Sequence, residues 1–301
     1  MKLFGPRCPV LFFINAMVFT TSQLMAMEPF RFTQVLDIAL ASDSNLTGAQ
    51  QKPNILSDRF MSLEARLNMP TELAFNKAFF WELAANHRAY EQTQQLNRSE
   101  LSAAIIYRWQ DRFSYRAPWY QVLLNGQWWD VAAKQRNSYV VTLQAMANAR
   151  LTTKISWLLG WEYKQRDSDA SVFDTEQSRL FFNIDYRLRG GPTFYGGGAY
   201  IDGHSLTTVQ SVLCNGQQVT ADYDFNVSSD AVALDQAFSE DYCGLWISFR
   251  LPSDTYSATL GVNYPLSHNT ALDLAWLYVD VSAQGIQYQR QIIQMNFIKT
   301  F

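Results

Sequence analysis

The sequence predicts an all-β fold, a closed antiparallel β-barrel that crosses a membrane with its strands. Three observations predict it. Apolar and polar residues alternate with period two in long segments, aromatic residues gather at the ends of those segments, and ionised residues occupy the polar face. The chain is 48% hydrophobic and 15% aromatic but only 17% charged, at a mean hydropathy of -0.16, so rings and polar groups must be finely interleaved.

Residues 154–164 show the alternation in its plainest form. Successive side chains of a strand face opposite sides, so every second residue belongs to one face. The apolar face here consists of Ile155, Trp157, Leu159, Trp161 and Tyr163. Residues 179–188, 256–264 and 271–278 repeat the pattern. Each segment therefore has one apolar face and one polar face.

The lengths of these segments favour a barrel with its apolar face outward. A tilted strand needs ~9 to 11 residues to cross a bilayer, whereas strands of soluble proteins usually have about five or six. Rings at segment ends are typical of interfacial girdles. The aromatic residues in such positions are Tyr107 with Trp109, Trp128 with Trp129, and Tyr163, Tyr186 and Tyr264.

Thirteen segments fit the strand pattern, and a barrel with both termini in the periplasm needs an even number. We therefore predict about fourteen strands, with the missing strand near residues 220–227, and twelve as the fallback. Outer loops are expected at 41–57, 92–97, 166–175 and part of 203–240. Short periplasmic turns are expected at Met69-Pro70-Thr71 and Gly190-Gly191-Pro192.

The N-terminus predicts export. Lys2 and Arg7 precede an apolar run that ends near Phe19, and Ala26 is a small residue suited to cleavage. We expect a signal peptide over 1–26 and a barrel over 27–301, the alternative being an uncleaved anchor. In an oxidising compartment Cys214 and Cys243 are expected to form a disulfide, the alternative being two free thiols.

The polar faces would line the lumen. The lumen-lining candidates are Arg66, Arg108, Arg150, Lys154, Glu162, Lys164, Arg179, Asp185, Arg187, Arg250, Asp273 and Arg290. On the same faces we place Arg31, Arg88, Asp37, Glu64 and Glu82. A lining with more basic than acidic residues favours anionic solutes. The alternative is an ion-paired network that fills the lumen and makes it rigid.

Enzymatic and nucleic-acid functions have little support in the sequence. His204 and Ser205 are neighbours, which on a strand point to opposite faces and cannot exchange a proton directly. There is no Gly-rich phosphate loop, HExxH motif or metal-ligand cluster, so no cofactor is expected. The net charge of -3 and the lack of a basic run give no reason to expect nucleic acid.

The C-terminal strand resembles that of outer-membrane barrels, which end in an alternating strand closed by an aromatic residue. The matching positions are Ile293, Met295, Phe297 and Phe301. The resemblance implies an outer-membrane location, contact with lipid, and a signal read by the barrel assembly machinery. Residues 35–45 also resemble the barrel portion of surface lipoprotein assembly modifiers.

We therefore predict a porin-like channel for small solutes with a preference for anions. Two alternatives stay open: a non-conducting barrel for the assembly or surface display of a partner, and an outer-membrane barrel hydrolase.

Overall fold

The computed structural model describes residues 32–301, apart from residues 75, 113, 219–228 and 284. Within this range the strands are β1 (Thr33–Asp43), β2 (Asp58–Ala74), β3 (Lys77–Tyr90), β4 (Arg98–Gln110), β5 (Trp119–Val131), β6 (Ser138–Arg150), β7 (Ile155–Ser168), β8 (Thr175–Arg187), β9 (Thr193–Val212), β10 (Ala231–Leu234), β11 (Leu245–Ser267), β12 (Thr270–Ala283) and β13 (Ile286–Thr300). A short helix, α1 (Gln236–Asp241), precedes β11. No helix in the described part of the chain is long and apolar enough to cross a membrane.

Two predictions concern residues that the structure does not describe. The expected signal peptide, residues 1–26, lies outside the described range, and so does the weakly alternating segment 220–227. Both stay predictions.

Twelve of the strands close into a barrel. Strands β1 to β9 pair in sequence, β9 pairs with β11, and β13 returns to pair with β1, all antiparallel. A closed ring satisfies its own backbone hydrogen bonds, which a lipid environment requires. The fallback prediction of twelve strands is confirmed, and the preferred number of fourteen is wrong.

The predicted number of barrel strands is too high because of β11. Residues 241–251 and 256–264 resemble two strands in sequence, but the structure joins them in one strand of 23 residues that continues through Pro252. Strand β10 is a short addition, which pairs with β11 beyond the end of β12.

The turn predicted at Met69-Pro70-Thr71 is also wrong. Strand β2 continues through Pro70, which lies opposite Phe80 of β3, as far as Ala74, and β3 begins at Lys77. The periplasmic turn expected at 190–192 is confirmed, because residues 188–192 connect β8 with β9.

The outward face of the barrel is apolar. Leu260 and Ile293, on this face of β11 and β13, keep 58% and 61% of their surface exposed. At one rim four aromatic side chains form a row in which the centroids of neighbouring rings are 5.0 to 5.4 Å apart. They are Phe79, Tyr107, Trp109 and Tyr120. An apolar band with an aromatic rim on a closed barrel is the surface of an outer-membrane protein.

The two ends of the barrel differ. Strand β1 begins and β13 finishes at one end, which we take as periplasmic because the chain termini of such barrels lie there. At the other, outer end, three loops share one design: a 3-10 turn followed by Asn97, Asn137 or Asp174, whose side chain accepts a backbone N–H of the preceding strand. Consecutive loops also bond to each other, as Ala132 N does to Asn97 O at 2.8 Å.

Candidate functional site: the lumen and its cap

The register brings most of the predicted lumen residues to the inward face. Glu162, for example, lies opposite Arg179, and the two form an ion pair at 3.8 Å. The predicted residues on inward positions of barrel strands are Arg66, Arg108, Arg150, Glu162, Lys164, Arg179, Asp185, Arg187, Asp273 and Arg290.

Two of the predicted residues lie elsewhere. Lys154 is exposed in the periplasmic turn 151–154, outside the strands. Arg250 belongs to the part of β11 that extends beyond β12, and its Nη1 donates to the carbonyl oxygen of Ser171 at 2.9 Å.

Most acidic and most basic side chains occupy different walls in the periplasmic half of the lumen. Most carboxylates there are on β1, β2, β3 and β12, and are Asp37, Glu64, Glu82 and Asp273; a fifth, Asp185, lies on β8 two residues from Arg187. The bases are on β4, β6 and β8, and are Arg108, Arg150 and Arg187. Arg66 lies among the carboxylates and contacts Glu64 and Glu82. This half of the lumen therefore has a transverse electric polarity.

A basic cluster surrounds Trp129 near the outer end. The guanidinium carbons of Arg98 and Arg166 lie 4.3 and 4.9 Å from the centroid of the indole ring, and Lys164 Nζ lies 5.3 Å from it. Trp129 itself is only 7% exposed. Its expected place in the outer girdle is therefore wrong, because Trp129 faces the lumen and its neighbour Trp128 faces outward.

The members of this cluster differ in their partners. Arg98 forms an ion pair with Glu100. Arg166 donates to neutral acceptors, the Ser138 hydroxyl at 2.8 Å and the Arg136 carbonyl at 2.9 Å. In the part of the chain that the structure describes, neither Lys164 nor Arg166 forms an ion pair. The cluster therefore carries excess positive charge.

The described residues of the connection between β9 and β11, 213–218 and 229–244, form a cap over the outer mouth. Asp235 is its best-bonded residue and has no exposed surface. Its carboxylate accepts from Arg136 Nη2 at 2.5 Å, from the Ser248 hydroxyl at 2.5 Å and from the Thr208 hydroxyl at 3.3 Å. Asp235 also begins α1 by accepting from Ala237 N at 3.1 Å, as an N-cap residue does.

The cap reaches the opposite side of the barrel. Asp241 Oδ2 accepts from Gln95 N at 2.7 Å, and the Tyr242 hydroxyl lies 3.1 Å from that of Thr93. Gln95 and Thr93 belong to the loop between β3 and β4, which four strands separate from β9 and β11 in either direction around the ring. A contact between opposite sides of the ring requires the cap to extend across the mouth.

Burial changes the acidity of two cap residues at this contact. It raises the pKa of Asp241 above its ordinary value, with Glu240 and Asp58 raising it further and the Gln95 N–H opposing them. Burial likewise raises the pKa of Tyr242.

The upper ends of β9 and β11 complete the closure. Phe249 and Leu251 pack with Ala49 of the first loop and with Tyr288 of β13. The Thr207 hydroxyl donates to Gly48 O at 2.6 Å, which bonds β9 to the same loop. The predicted disulfide between Cys214 and Cys243 is confirmed, with Cα atoms 5.2 Å apart, and it joins the two ends of the cap.

A cavity of about 390 Å³ lies beneath the cap. Phe238 and Leu206 of the capping segments border it, and its basic lining consists of Arg98, Arg136, Lys164, Arg166 and Arg290. Arg290 is bound by Asp43, whose carboxylate accepts from Nε at 2.9 Å. The cavity therefore joins the cap to the basic cluster.

Sequence reasoning missed three residues of this site: Arg98, Arg136 and Arg166. All three lie at the outer ends of strands or in loops, beyond the predicted strand bounds. Only the cross-strand register reveals them, since Arg166 lies opposite Val140 and Arg98 opposite Val131.

Two of the histidines, His204 and His87, are engaged in hydrogen bonds or an ion pair. Both ring nitrogens of His204 are engaged: Nε2 lies 3.0 Å from Asp230, and Nδ1 accepts from Glu176 N at 3.2 Å. His87 Nδ1 lies 3.0 Å from the Ser99 hydroxyl. Among the described residues no group of three or more His, Cys, Asp or Glu could hold a metal ion.

Comparison with solved structures finds outer-membrane channels. The COG4313 outer membrane channel from Pseudomonas putida F1 has a TM-score of 0.56 and 10% identity, over 91% of this chain and 97% of the channel. The NanC porin has a TM-score of 0.44 and 8% identity, over 88% of this chain and 98% of the porin. The KdgM porin in complex with disordered oligogalacturonate has a TM-score of 0.39 and 11% identity, over 87% of this chain and 98% of the porin. No protein-family model and no curated protein matches the sequence. The chain therefore shares its closed-barrel fold with the COG4313 channel.

Proposed function

We propose that this barrel is an outer-membrane channel for small anionic solutes, with a cap that controls its outer mouth. The observation that supports it is the basic cluster around Trp129, where Lys164 and Arg166 line the lumen side without ion pairs among the described residues. Rings of basic side chains favour anions in pores. The cap above this cluster would have to move for solute to pass.

The test is the reversal potential of the purified chain in a planar bilayer under a salt gradient. Replacing Arg179 and Arg187 by Glu should shift the preference from anions toward cations, because both lie on inward positions of β8. Arg59→Glu is the matched control, since Arg59 is exposed outside the lumen with 77% of its side chain accessible. A wild-type reversal potential that shows no preference for anions would reject the anion preference, and an unchanged reversal potential in the double variant would reject the assignment of Arg179 and Arg187 to the selective lining.

The cap also supports a second candidate, a non-conducting barrel for assembly or display of a partner. Its contacts with the loop between β3 and β4 extend across the mouth. This candidate predicts no channel events, even after the cap contacts are removed by mutation. Channel events in such variants would reject it.

Two further parts of the proposal concern the chain before and during membrane insertion. We propose that residues 1–26 are removed as a signal peptide and that the barrel assembly machinery reads the last strand. Ile293, Met295, Phe297 and Phe301 all expose their side chains on the outward face. Replacing Phe301 by Ala should lower the amount of folded barrel, measured as the heat-modifiable band in outer-membrane fractions.

A further inference from the structure

We propose that the cavity beneath the cap is a binding site for a small hydroxylated anion, held by Lys164 and Arg166 beside Trp129. The proposal extends the proposed channel function. It rests on that function only for the route by which the ligand reaches the cavity. Binding itself can be measured without transport.

The first argument is charge. The centres of Arg98, Lys164 and Arg166 all lie within 5.3 Å of one ring centroid, so like charges are crowded in a half-buried space. Such a cluster is unfavourable unless an opposite charge joins it. The ring face of Trp129 offsets only part of this cost.

Two of the nearby carboxylates already have charged partners. Glu162 forms an ion pair with Arg179 at 3.8 Å and accepts from Gln144 Nε2 at 3.0 Å. Glu100 contacts Arg98. Asp174 accepts from a neutral donor, Ser168 N, at 2.7 Å, so its charge offsets part of the charge of Arg166. Lys164 and Arg166 together still exceed this one carboxylate, and the excess positive charge calls for an external anion.

The second argument is the chemistry of the cavity wall. Arg136 Nε, which borders the same cavity, is buried with no acceptor among the described residues. The hydroxyls of Thr175 and Thr255 also line it, and neither makes a side-chain hydrogen bond within the described part of the chain. Donors and hydroxyls of this kind suit a ligand that carries its own hydroxyl groups.

The third argument is size. A cavity of about 390 Å³ is far larger than a chloride ion needs and falls within the ~300 to 1,000 Å³ of small-molecule sites. Phe238 of the cap borders it and is 1% exposed, so a bound molecule would be covered from the outer side. The site therefore fits a molecule of monosaccharide size.

The experiment is calorimetric titration of the purified, detergent-folded chain with glucose 6-phosphate, with glucose as the uncharged control. We expect one site per chain for the phosphate and none for glucose. Lys164→Gln should weaken binding by about tenfold or more, as loss of a charge-assisted hydrogen bond does. Lys164→Arg should retain most of the affinity, and Arg59→Gln, which is exposed outside the lumen, should leave it unchanged.

Folding of each variant is checked by heat-modifiable migration. If Lys164→Gln does not fold, the wild type still decides the matter through the phosphate-to-glucose contrast and through Arg166→Gln. Equal binding of glucose, no binding of the phosphate, or full affinity in both folded variants would overturn the site.

This result is separable from the channel proposal. Binding without any channel current would reject the channel and keep the site. Anion-selective current without binding would reject only the site.

Discussion

Arg136 of the loop between β5 and β6 donates to Asp235 of the cap, and this ion pair joins two segments 99 residues apart in sequence. Asp235 is fully buried, and Arg136 keeps 13% of its side chain exposed. The guanidinium also stacks on Phe173, 4.1 Å from the ring centroid. The pair therefore anchors the cap to the rim of the barrel.

Replacing Asp235 by Ala should release the cap. It leaves Arg136 buried without its partner, and breaking a buried pair in this way costs ~3 to 5 kcal/mol. Part of that cost is avoided if the cap lifts and Arg136 reaches water. We expect a higher open probability in single-channel recordings.

Glu240→Ala is the control for this change, because Glu240 is an exposed acidic residue of the same helix that bonds only to Gln236 among the described residues. If Asp235→Ala and Glu240→Ala have the same open probability, Asp235 does not anchor the cap.

Removing the disulfide should loosen the cap from its base. Cys214 and Cys243 are 29 residues apart, and closing a loop of that length removes about 3 to 4 kcal/mol of chain entropy from the opened state. In the Cys214→Ser, Cys243→Ser double variant, we expect faster cutting by chymotrypsin after Phe238, which is buried in the docked cap, and after Tyr242, which is partly buried there. Equal cutting rates in the oxidised wild type and the double variant would contradict this.

The cap should dock more tightly in acid. The pKa of Asp241 is raised in the docked state, so docking favours its protonated form. This contribution is fully present below the ordinary pKa of 3.8 and is lost as the pH rises through the raised value. Open probability should therefore increase with pH in that acidic window, and Asp241→Asn should reduce the dependence. An identical pH profile in the variant would count against it.

A glycine helps to keep the lumen open. The Phe181 ring lies over Gly160 on the inward face, and a Cβ at Gly160 would come within 2.3 Å of that ring. Gly160→Ala should push the ring toward the lumen and lower the unitary conductance, and a second change, Phe181→Ala, should restore it.

Gly126→Ala serves as the control for Gly160, since nothing lies within 4 Å of its added Cβ. If Gly160→Ala conducts like this control, the ring does not restrict the lumen.

The sequence predicts the barrel well where lipid imposes the pattern. Leu180, Phe182 and Ile184 alternate because each must face the bilayer, and all three are exposed on the outer surface. The same constraint identifies inward residues such as Arg179, because they alternate along the strand with these outward residues. Period two therefore suffices for the membrane-spanning part of each strand.

The pattern fails above the membrane. Arg166 and Arg98 lie near outer strand ends, where the outward side chains meet water and need not be apolar. The alternation of apolar and polar residues is therefore lost there, although the strands remain paired. Pro252 has a related effect, since it divides the pattern of β11 without ending the strand. The cap depends on contacts such as that of Asp235 with Arg136, between residues far apart in sequence, and no local periodicity encodes them.

Thiol accessibility tests the central claim most directly, that the charged face of each strand encloses water and the apolar face meets lipid. Thr259 and Leu260 are neighbours on β11 and face opposite sides. Thr259→Cys and Leu260→Cys variants would be treated in outer-membrane fragments with a charged, water-soluble methanethiosulfonate. We predict labelling at position 259 and protection at 260. Labelling at 260 with protection at 259 would contradict the account.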